Sequence, residues 1–175
     1  MATLEKINLL ITCPRGIEDK VASNLYFILK SDLLDELADC KLSTYPGIIY
    51  AYTSKSLQHV FTFLKNKLSQ YKWYLGNFSK ITPIHKTTII SEDEIVKAGC
   101  ELASLIKPGE KFKIQVNNRG KKVNSANLIH RIASKIDRKV DLEKPDKTVM
   151  IEVLDDFCGL SLLDDTLIIK SLLKP

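Results

Sequence analysis

The stretch from residue 112 to residue 146 reads FKIQVNNRGKKVNSANLIHRIASKIDRKVDLEKPD, and its pattern decides how the second half of the chain folds. Apolar and polar residues alternate over residues 112–116, which predicts a half-exposed strand. A polar loop follows over residues 117–124, and apolar residues then recur at three- and four-residue spacing, which predicts a helix from about residue 125 to 138. The predicted buried stripe of this helix consists of Leu128, Ile129, Ile132, Ala133 and Ile136.

The loop between this strand and helix is rich in hydrogen-bond donors. Gly120 allows close approach of a ligand, and the helix that begins near Ser125 brings free backbone N–H groups and the positive end of its dipole next to the cations. Such an arrangement suits a phosphate group. The donors are Asn117, Asn118, Arg119, Lys121 and Lys122. The alternative is a solvated polar loop in which Ser125 only caps the helix.

The outward side of the same helix carries three cations at helical spacing, which fits a track for a polyanion. The few aromatic residues in the region favour recognition of RNA by shape and backbone contacts over base stacking. The outward residues are Asn127, His130, Arg131, Ser134, Lys135 and Arg138. A basic solvated face is the alternative, and His130 is interpreted as a surface donor or aromatic contact.

Charge along the chain supports the same interpretation. Residues 72–147 hold 16 basic and 9 acidic residues, whereas residues 1–71 carry a net charge of +1 and residues 148–175 a net charge of −3. This asymmetry indicates a polyanionic partner for the middle of the chain.

Upstream of this region, the pattern predicts a small α+β unit. Strands are expected over residues 7–13, 41–45 and 48–53, with Pro46-Gly47 as the turn, and helices over residues 17–29 and 56–68. Residues 33–38 are predicted to form a short helix or to continue the first one, and a last strand is expected within residues 71–81. This order is that of a ferredoxin-like unit.

Downstream of residue 83, a second unit is expected. Ser91 and Glu94 form a capping-box pattern for a helix that ends before Pro108-Gly109. Strands are predicted over residues 149–153 and 160–163, with a further strand-like segment within 167–172. The chain is therefore divided into residues 1–80 and 81–175.

Several kinds of chemistry are disfavoured by the sequence. It contains no P-loop, dinucleotide-binding or nucleophile-elbow motif, and Cys13, Cys40, Cys100 and Cys158 stand too far apart for a typical zinc site. We expect four reduced thiols, no catalytic residues, no metal and no cofactor. With no signal-peptide pattern at the start and no long apolar run, a cytoplasmic protein without membrane contact is expected.

The chain resembles the THUMP domain proteins. The resemblance spans about residues 80–165, and its most specific element is Val-Asp-Leu-Glu-Lys-Pro-Asp at residues 140–146. Residues 112–119, Ser125, residues 149–153, residues 159–162 and the segment 80–84 also fit. The first unit resembles the ferredoxin-like domain that commonly precedes THUMP.

The resemblance implies an α+β protein with an N-terminal ferredoxin-like unit followed by a THUMP α/β domain that binds tRNA, often at its acceptor end. The stand-alone adaptor that helps a separate tRNA cytidine acetyltransferase make acetylcytidine is the closest analogue, because no catalytic domain is expected after residue 175. The full predicted RNA-binding set is Lys86, Lys113, Asn117, Asn118, Arg119, Lys121, Lys122, Ser125, Asn127, His130, Arg131, Lys135 and Arg138.

Two other functions remain open from the sequence. One is a minimal RNA-modifying enzyme with an unrecognised site. The other is a ferredoxin-like regulatory protein that binds a small molecule, which the ten basic against three acidic residues of segment 111–144 disfavour.

Overall fold

The computed structural model describes residues 6–173, which form two compact units. The first unit contains the described residues up to Pro83 and those from Asp165 onward. The second unit is Ile84–Asp164. The expectation that the chain starts without a signal peptide rests on residues 1–11, of which residues 1–5 lie outside the described residues.

The first unit has a five-stranded antiparallel sheet in the order β2-β3-β1-β4-β9 with two helices. Its first four strands and two helices follow the ferredoxin-like order, as predicted. The elements are β1 (Leu9–Thr12), α1 (Glu18–Phe27), β2 (Asp39–Leu42), β3 (Ile48–Tyr52), α2 (Leu57–Gln70), β4 (Lys80–Pro83) and β9 (Ile169–Lys170). The helices cover one face of the sheet around a core that includes Leu9, Ile11, Ile49, Leu25 and Phe61.

Local signals explain most of these boundaries. Ser56 caps α2 by accepting a hydrogen bond from the backbone N–H of His59. Gly47 has a φ of +76°, and a Cβ there would lie 2.6 Å from the carbonyl oxygen of Cys13, so the turn between β2 and β3 requires glycine.

Three predictions for this unit need correction. After α1 the chain makes one turn of π-helix, Ile28–Asp32, and residues 33–38 form no helix. The strand expected within residues 71–81 starts only at Lys80, because residues 71–78 form turns that bury Leu75 and Phe78. Of the segment 80–84, which the resemblance placed in the second unit, Lys80–Pro83 form β4 of the first sheet, whereas Ile84 does belong to the second unit.

The end of the chain also returns to the first unit. β9 pairs with β4 through Lys80↔Lys170 and Ile81↔Ile169, and Ile169 is buried in the core of that unit. The division predicted from the sequence places residues 81–175 in the second unit, whereas residues 81–83 and the described residues from Asp165 onward belong to the first. Sheet pairing between residues so distant in sequence leaves no local signal.

The second unit has a four-stranded mixed sheet in the order β5-β8-β7-β6. Its elements are β5 (Lys86–Thr88), α3 (Glu92–Ala103), β6 (Phe112–Asn118), α4 (Ser125–Ala133), β7 (Lys147–Val153) and β8 (Cys158–Leu163). β6 and β7 are parallel, with α4 in the connection between them. Ile95 and Leu102 of α3 and Leu128 and Ile132 of α4 pack with Ile151 on one face of this sheet.

The residues 140–146 that carry the most specific part of the resemblance have a structural role. Asp146 and Lys111 exchange main-chain and side-chain hydrogen bonds at the start of β6, and the Asp141 carboxylate lies 2.7 Å from the Lys111 ammonium. Hydrogen bonding from Lys111, helped by the N–H groups of Lys144 and Glu143, lowers the pKa of Asp141 to about 2. These contacts hold the chain as it enters β6, so this motif positions the strand.

None of the described helices is long and apolar enough to cross a membrane. All four cysteines are free thiols, and Cys13 and Cys158 are buried. Within residues 6–173, no group of His, Cys, Asp and Glu side chains is arranged to hold a metal ion.

Candidate nucleic-acid interface

The loop after β6 has the left-handed geometry that the glycine indicated. Gly120 has a φ of 71° and Lys121 a φ of 51°, so the chain reverses over two consecutive left-handed residues. Residues Arg119–Lys121 form a tight turn before α4 begins, and Gly120 within it is not helical. Lys121 is thereby placed at the exposed tip of the loop.

Arg119 does not point freely into solvent. Its guanidinium donates to the carboxylate of Glu152 on β7, and the side chain of Glu152 is only 6% exposed. The other oxygen of Glu152 accepts a hydrogen bond of 2.7 Å from the amide of Asn117. Two predicted RNA contacts therefore neutralise and hydrogen-bond one buried carboxylate, which otherwise would be costly to bury.

Lys122 and Asn118 also have partners inside the unit. The Lys122 ammonium donates to the carbonyl oxygens of Leu154 and Asp155 in the turn between β7 and β8. The Asn118 amide donates to the carbonyl oxygen of Val123 and to the Ser125 hydroxyl. These bonds close the loop against the end of β7 and fix the start of α4.

The N-terminus of α4 already has a carboxylate beside it. Asn124, not Ser125, is the N-cap, and its side chain accepts from the N–H of Asn127. Glu92 of α3 accepts from the N–H of Asn124 at 2.9 Å and from the side chain of Asn127 at 2.7 Å. These two hydrogen bonds, with a smaller contribution from Arg131, lower the pKa of Glu92. Part of the anion-binding capacity of this helix end is thus taken by the protein itself.

The start of α3 differs from the capping-box prediction. Ser91 is the N-cap residue, but its side chain makes no capping hydrogen bond. Among the described residues Glu94 makes no hydrogen bond back to Ser91, and the neighbouring Glu92 contacts Asn124 and Asn127 at the start of α4.

The helix itself is shorter than predicted. α4 ends at Ala133, with Ser134 as its C-cap, so Lys135 and Arg138 lie in the turn and loop that follow. Arg138 donates to the carbonyl oxygens of Ile106 and Lys107, which ties this loop to the segment that follows α3. Ile129 is 36% exposed and stands outside the buried stripe in which it was placed.

Two further predicted contacts form ion pairs. Arg131 lies 2.6 Å from the carboxylate of Asp93 and 4.0 Å from that of Glu92, and Lys86 on β5 pairs with Glu101 of α3. All of these groups are partly exposed, so the pairs are weak and open to competition by a phosphate.

Four of the thirteen predicted residues make no ion pair and no side-chain hydrogen bond with any residue from 6 to 173. They are Lys113, Lys121, His130 and Lys135. Lys113 shares a sheet face with Asn117, opposite the face covered by α3 and α4, because Ile114 and Val116 between them pack in the core. The structure therefore separates Lys113 from Lys121, His130 and Lys135, which lie in or beside α4.

The excess of basic residues predicted for the middle of the chain becomes smaller when the net charge is counted over the second unit as the structure defines it. Ile84–Asp164 contain 14 basic and 13 acidic residues, a net charge of +1. The excess over residues 72–147 arose because that window included Lys72 and Lys80 of the first unit and stopped before Glu152, Asp155, Asp156 and Asp164. Glu152 is the most informative of the residues that the sequence analysis missed, and its signal was a lone acidic residue in the apolar strand 147–153.

The comparisons with known proteins bear on this unit first. Residues 91–163 match the model of the THUMP domain. The predicted THUMP domain is confirmed by this match, which lies entirely within the second unit. No curated protein matches the chain in sequence.

Solved structures share the fold over nearly the whole chain. PH1313 from Pyrococcus horikoshii Ot3 superposes with a TM-score of 0.63 at 15% identity, covering 95% of this chain and 56% of that one. TrmN from Thermus thermophilus gives 0.61 at 14% identity, covering 89% and 45%. A 4-thiouridine synthetase, crystallised in complex with RNA and ATP, gives 0.58 at 12% identity, covering 94% and 42%. The chain thus spans about half the length of these proteins, and the likeness establishes the α+β fold.

Proposed function

We propose that this protein binds tRNA through its THUMP unit and presents it to a separate modification enzyme, with cytidine acetylation as the reaction served. The observation that carries the proposal is the match of residues 91–163 to the THUMP domain, which is an RNA-binding domain. The acetylation step rests on the resemblance to the stand-alone adaptor described above.

The proposed contact surface is the region of α4 and the loop before it. Lys121, His130 and Lys135 offer donors that no described residue of the protein engages. Beside them, Arg131 is held only by partly exposed carboxylates, and exchanging one of these for a phosphate costs little. Shape and backbone contacts fit this surface, since it offers lysine and arginine side chains and presents no aromatic platform among the described residues.

Under this proposal, Arg119, Asn117, Asn118 and Lys122 act on RNA by shaping the loop, and direct contact is assigned to Lys121. The paired residues keep the turn at Gly120 in place through Glu152 and the carbonyl oxygens of Leu154 and Asp155. The proposal thus divides the predicted RNA-binding residues into those that contact RNA and those that position the contact residues.

Binding is tested by fluorescence anisotropy with labelled tRNA at a series of salt concentrations. Three or four neutralised phosphates give a log–log slope of about −2 to −4, at roughly −0.7 to −0.9 per contact. A slope near zero contradicts an electrostatic interface. Binding of a small metabolite together with no binding of tRNA supports the alternative of a small-molecule regulatory protein.

The adaptor role needs a second measurement. Purified tRNA is incubated with an acetyl donor and the tRNA cytidine acetyltransferase of the same organism, with and without this protein, and acetylcytidine is quantified by mass spectrometry. We expect the modification to depend on both proteins. Modification of tRNA by this protein without the transferase would identify it as an enzyme.

A further inference from the structure

The first unit has an open groove that the RNA proposal does not use. It lies between helix α1 and the edge strand β2, has a volume of about 550 Å³, and is lined by Asp19, Ala22, Ser23, Tyr26, Phe27, Asp39, Cys40 and Leu42. We propose that an extended segment of another protein, carrying a large apolar side chain next to Lys or Arg, adds to β2 and fills this groove.

The helical wall of the groove is a regular face of α1. Residues 19, 22, 23, 26 and 27 recur at three- and four-residue spacing, and so lie on one side of the helix. The core side is formed by Val21 and Leu25 instead. Phe27 is 63% exposed and Tyr26 is 42% exposed, with the Lys30 ammonium 5.5 Å from the centre of the Tyr26 ring, so this second face of α1 presents aromatic surface that is only partly covered.

The strand wall offers unused main-chain positions. β2 ends the sheet order, and no strand among residues 6–173 pairs with its outer side. The N–H of Ser43 donates to the carbonyl oxygen of Ile48 at 3.0 Å, which makes that pair a hydrogen-bonded one. Since hydrogen-bonded pairs alternate along an antiparallel ladder, Lys41 and Asp39 also face β3, and the peptide groups of Cys40 and Leu42 face outward.

One of these outward groups is satisfied locally. The N–H of Cys40 donates to the side-chain carboxylate of its own neighbour Asp39 at 2.9 Å. A carbonyl oxygen of an added strand can take the place of the Asp39 carboxylate as acceptor for the Cys40 N–H. The added strand can then continue hydrogen bonding to β2 at Leu42. Addition of an extended peptide to a sheet edge, with alternate side chains entering a pocket, is a recurrent mode of recognition.

The side chains of the groove select the chemistry of the segment. Cys40 and Leu42 point toward the helices, because their ladder partners Ala51 and Ile49 do, so every second residue of an added strand enters the groove. Tyr26 and Phe27 there suit a large apolar side chain. The charged lining groups are the carboxylates of Asp19 and Asp39, which favour Lys or Arg beside it.

The experiment selects a random decapeptide display library against the full chain, with no RNA present. The consensus peptide is then synthesised with fluorescein and titrated by anisotropy. We expect enriched peptides with a large apolar residue flanked by Lys or Arg. Failure to enrich any peptide overturns the proposal.

A backbone scan tests whether the peptide binds as a strand. N-methylation of single peptide residues should abolish binding at every second position and leave it nearly unchanged at the others, because only alternate N–H groups face β2. Loss of binding without this two-residue period indicates a helical or irregular ligand and overturns the proposal.

Two variants locate the binding surface. F27K, at an exposed position, should weaken binding about ten-fold or more, since aromatic anchors dominate such interfaces. L142K in the second unit, where Leu142 is 72% exposed, is the matched control and should leave affinity unchanged. Equal binding by F27K, or a dimer of the protein that F27K dissociates, overturns the proposal, the latter because a second copy would then occupy the groove.

Discussion

In the loop at residues 119–122 two of the three cations are paired, whereas Lys121 at its tip, like His130 and Lys135 in and after α4, has no partner among the described residues. In the loop, Arg119 and Lys122 are held by the buried Glu152 carboxylate and by backbone carbonyl oxygens. On and after α4, His130 and Lys135 meet no such partner among the described residues. A basic residue of this region therefore either stabilises the fold by pairing within the protein or stays available for RNA, and its surroundings in the folded protein decide between these roles.

The largest expected effect comes from breaking the pairing in the loop. R119Q removes the cation from a carboxylate that is 6% exposed, and should destabilise the fold by about 2 to 3 kcal/mol, somewhat less than for a fully buried pair because the Arg119 side chain keeps 23% exposure. Urea denaturation measures the change.

Two control variants show whether the stability loss of R119Q comes from the broken ion pair or from a change in the loop. The double variant R119Q/E152Q should recover most of the lost stability, since no unpaired charge then remains buried. K121Q, in the same loop but without a partner, should change stability by no more than about 0.5 kcal/mol. If R119Q is as stable as the wild type, the loop and α4 do not differ in the way described.

The next effect concerns RNA affinity on the unpaired side. K121Q and K135Q should each weaken tRNA binding by about 1 kcal/mol, roughly five-fold, and reduce the magnitude of the salt slope by about 0.7 to 0.9, as expected for one lost phosphate contact. Anisotropy titrations at several salt concentrations provide both numbers.

The matched control is K72Q, which removes one exposed lysine from the first unit. It should leave the slope unchanged. Equal losses in all three variants would mean that binding follows total charge and that the region of α4 is not a defined site.

The smallest effect is expected at the N-terminus of α4, where the two regions meet. E92Q removes a negative charge from the helix end that a phosphate would approach, while its amide oxygen can still accept from Asn124 or Asn127. We expect tRNA affinity to rise about two- to three-fold, in keeping with the 0.3–1 kcal/mol typical of charges at helix termini. E94Q, an exposed charge on the same helix, should have no effect. Weaker binding by E92Q would indicate that the contact holds the loop in its active shape.

Much of the fold was predictable because its signals are local. Alternation over β6, helical spacing in α4, the cap at Ser56 and the Pro46-Gly47 turn each depend on residues close in sequence. The same holds for the left-handed loop at Gly120. β5, by contrast, has only three residues and is defined by its pairing with β8, so the sequence pattern did not predict this strand.

By itself, the sequence determined the kind of protein: two α+β units, a THUMP domain in the second, and a basic loop before a helix. The tertiary structure decided which cations remain available, because Glu152, Glu92 and Asp93 come from elements 30 to 40 residues away from the groups they bind. It also placed β9 in the first sheet and left β2 as an open edge. Charge pairing and strand order depend on contacts between residues distant in sequence, and such contacts exist only once the chain has folded.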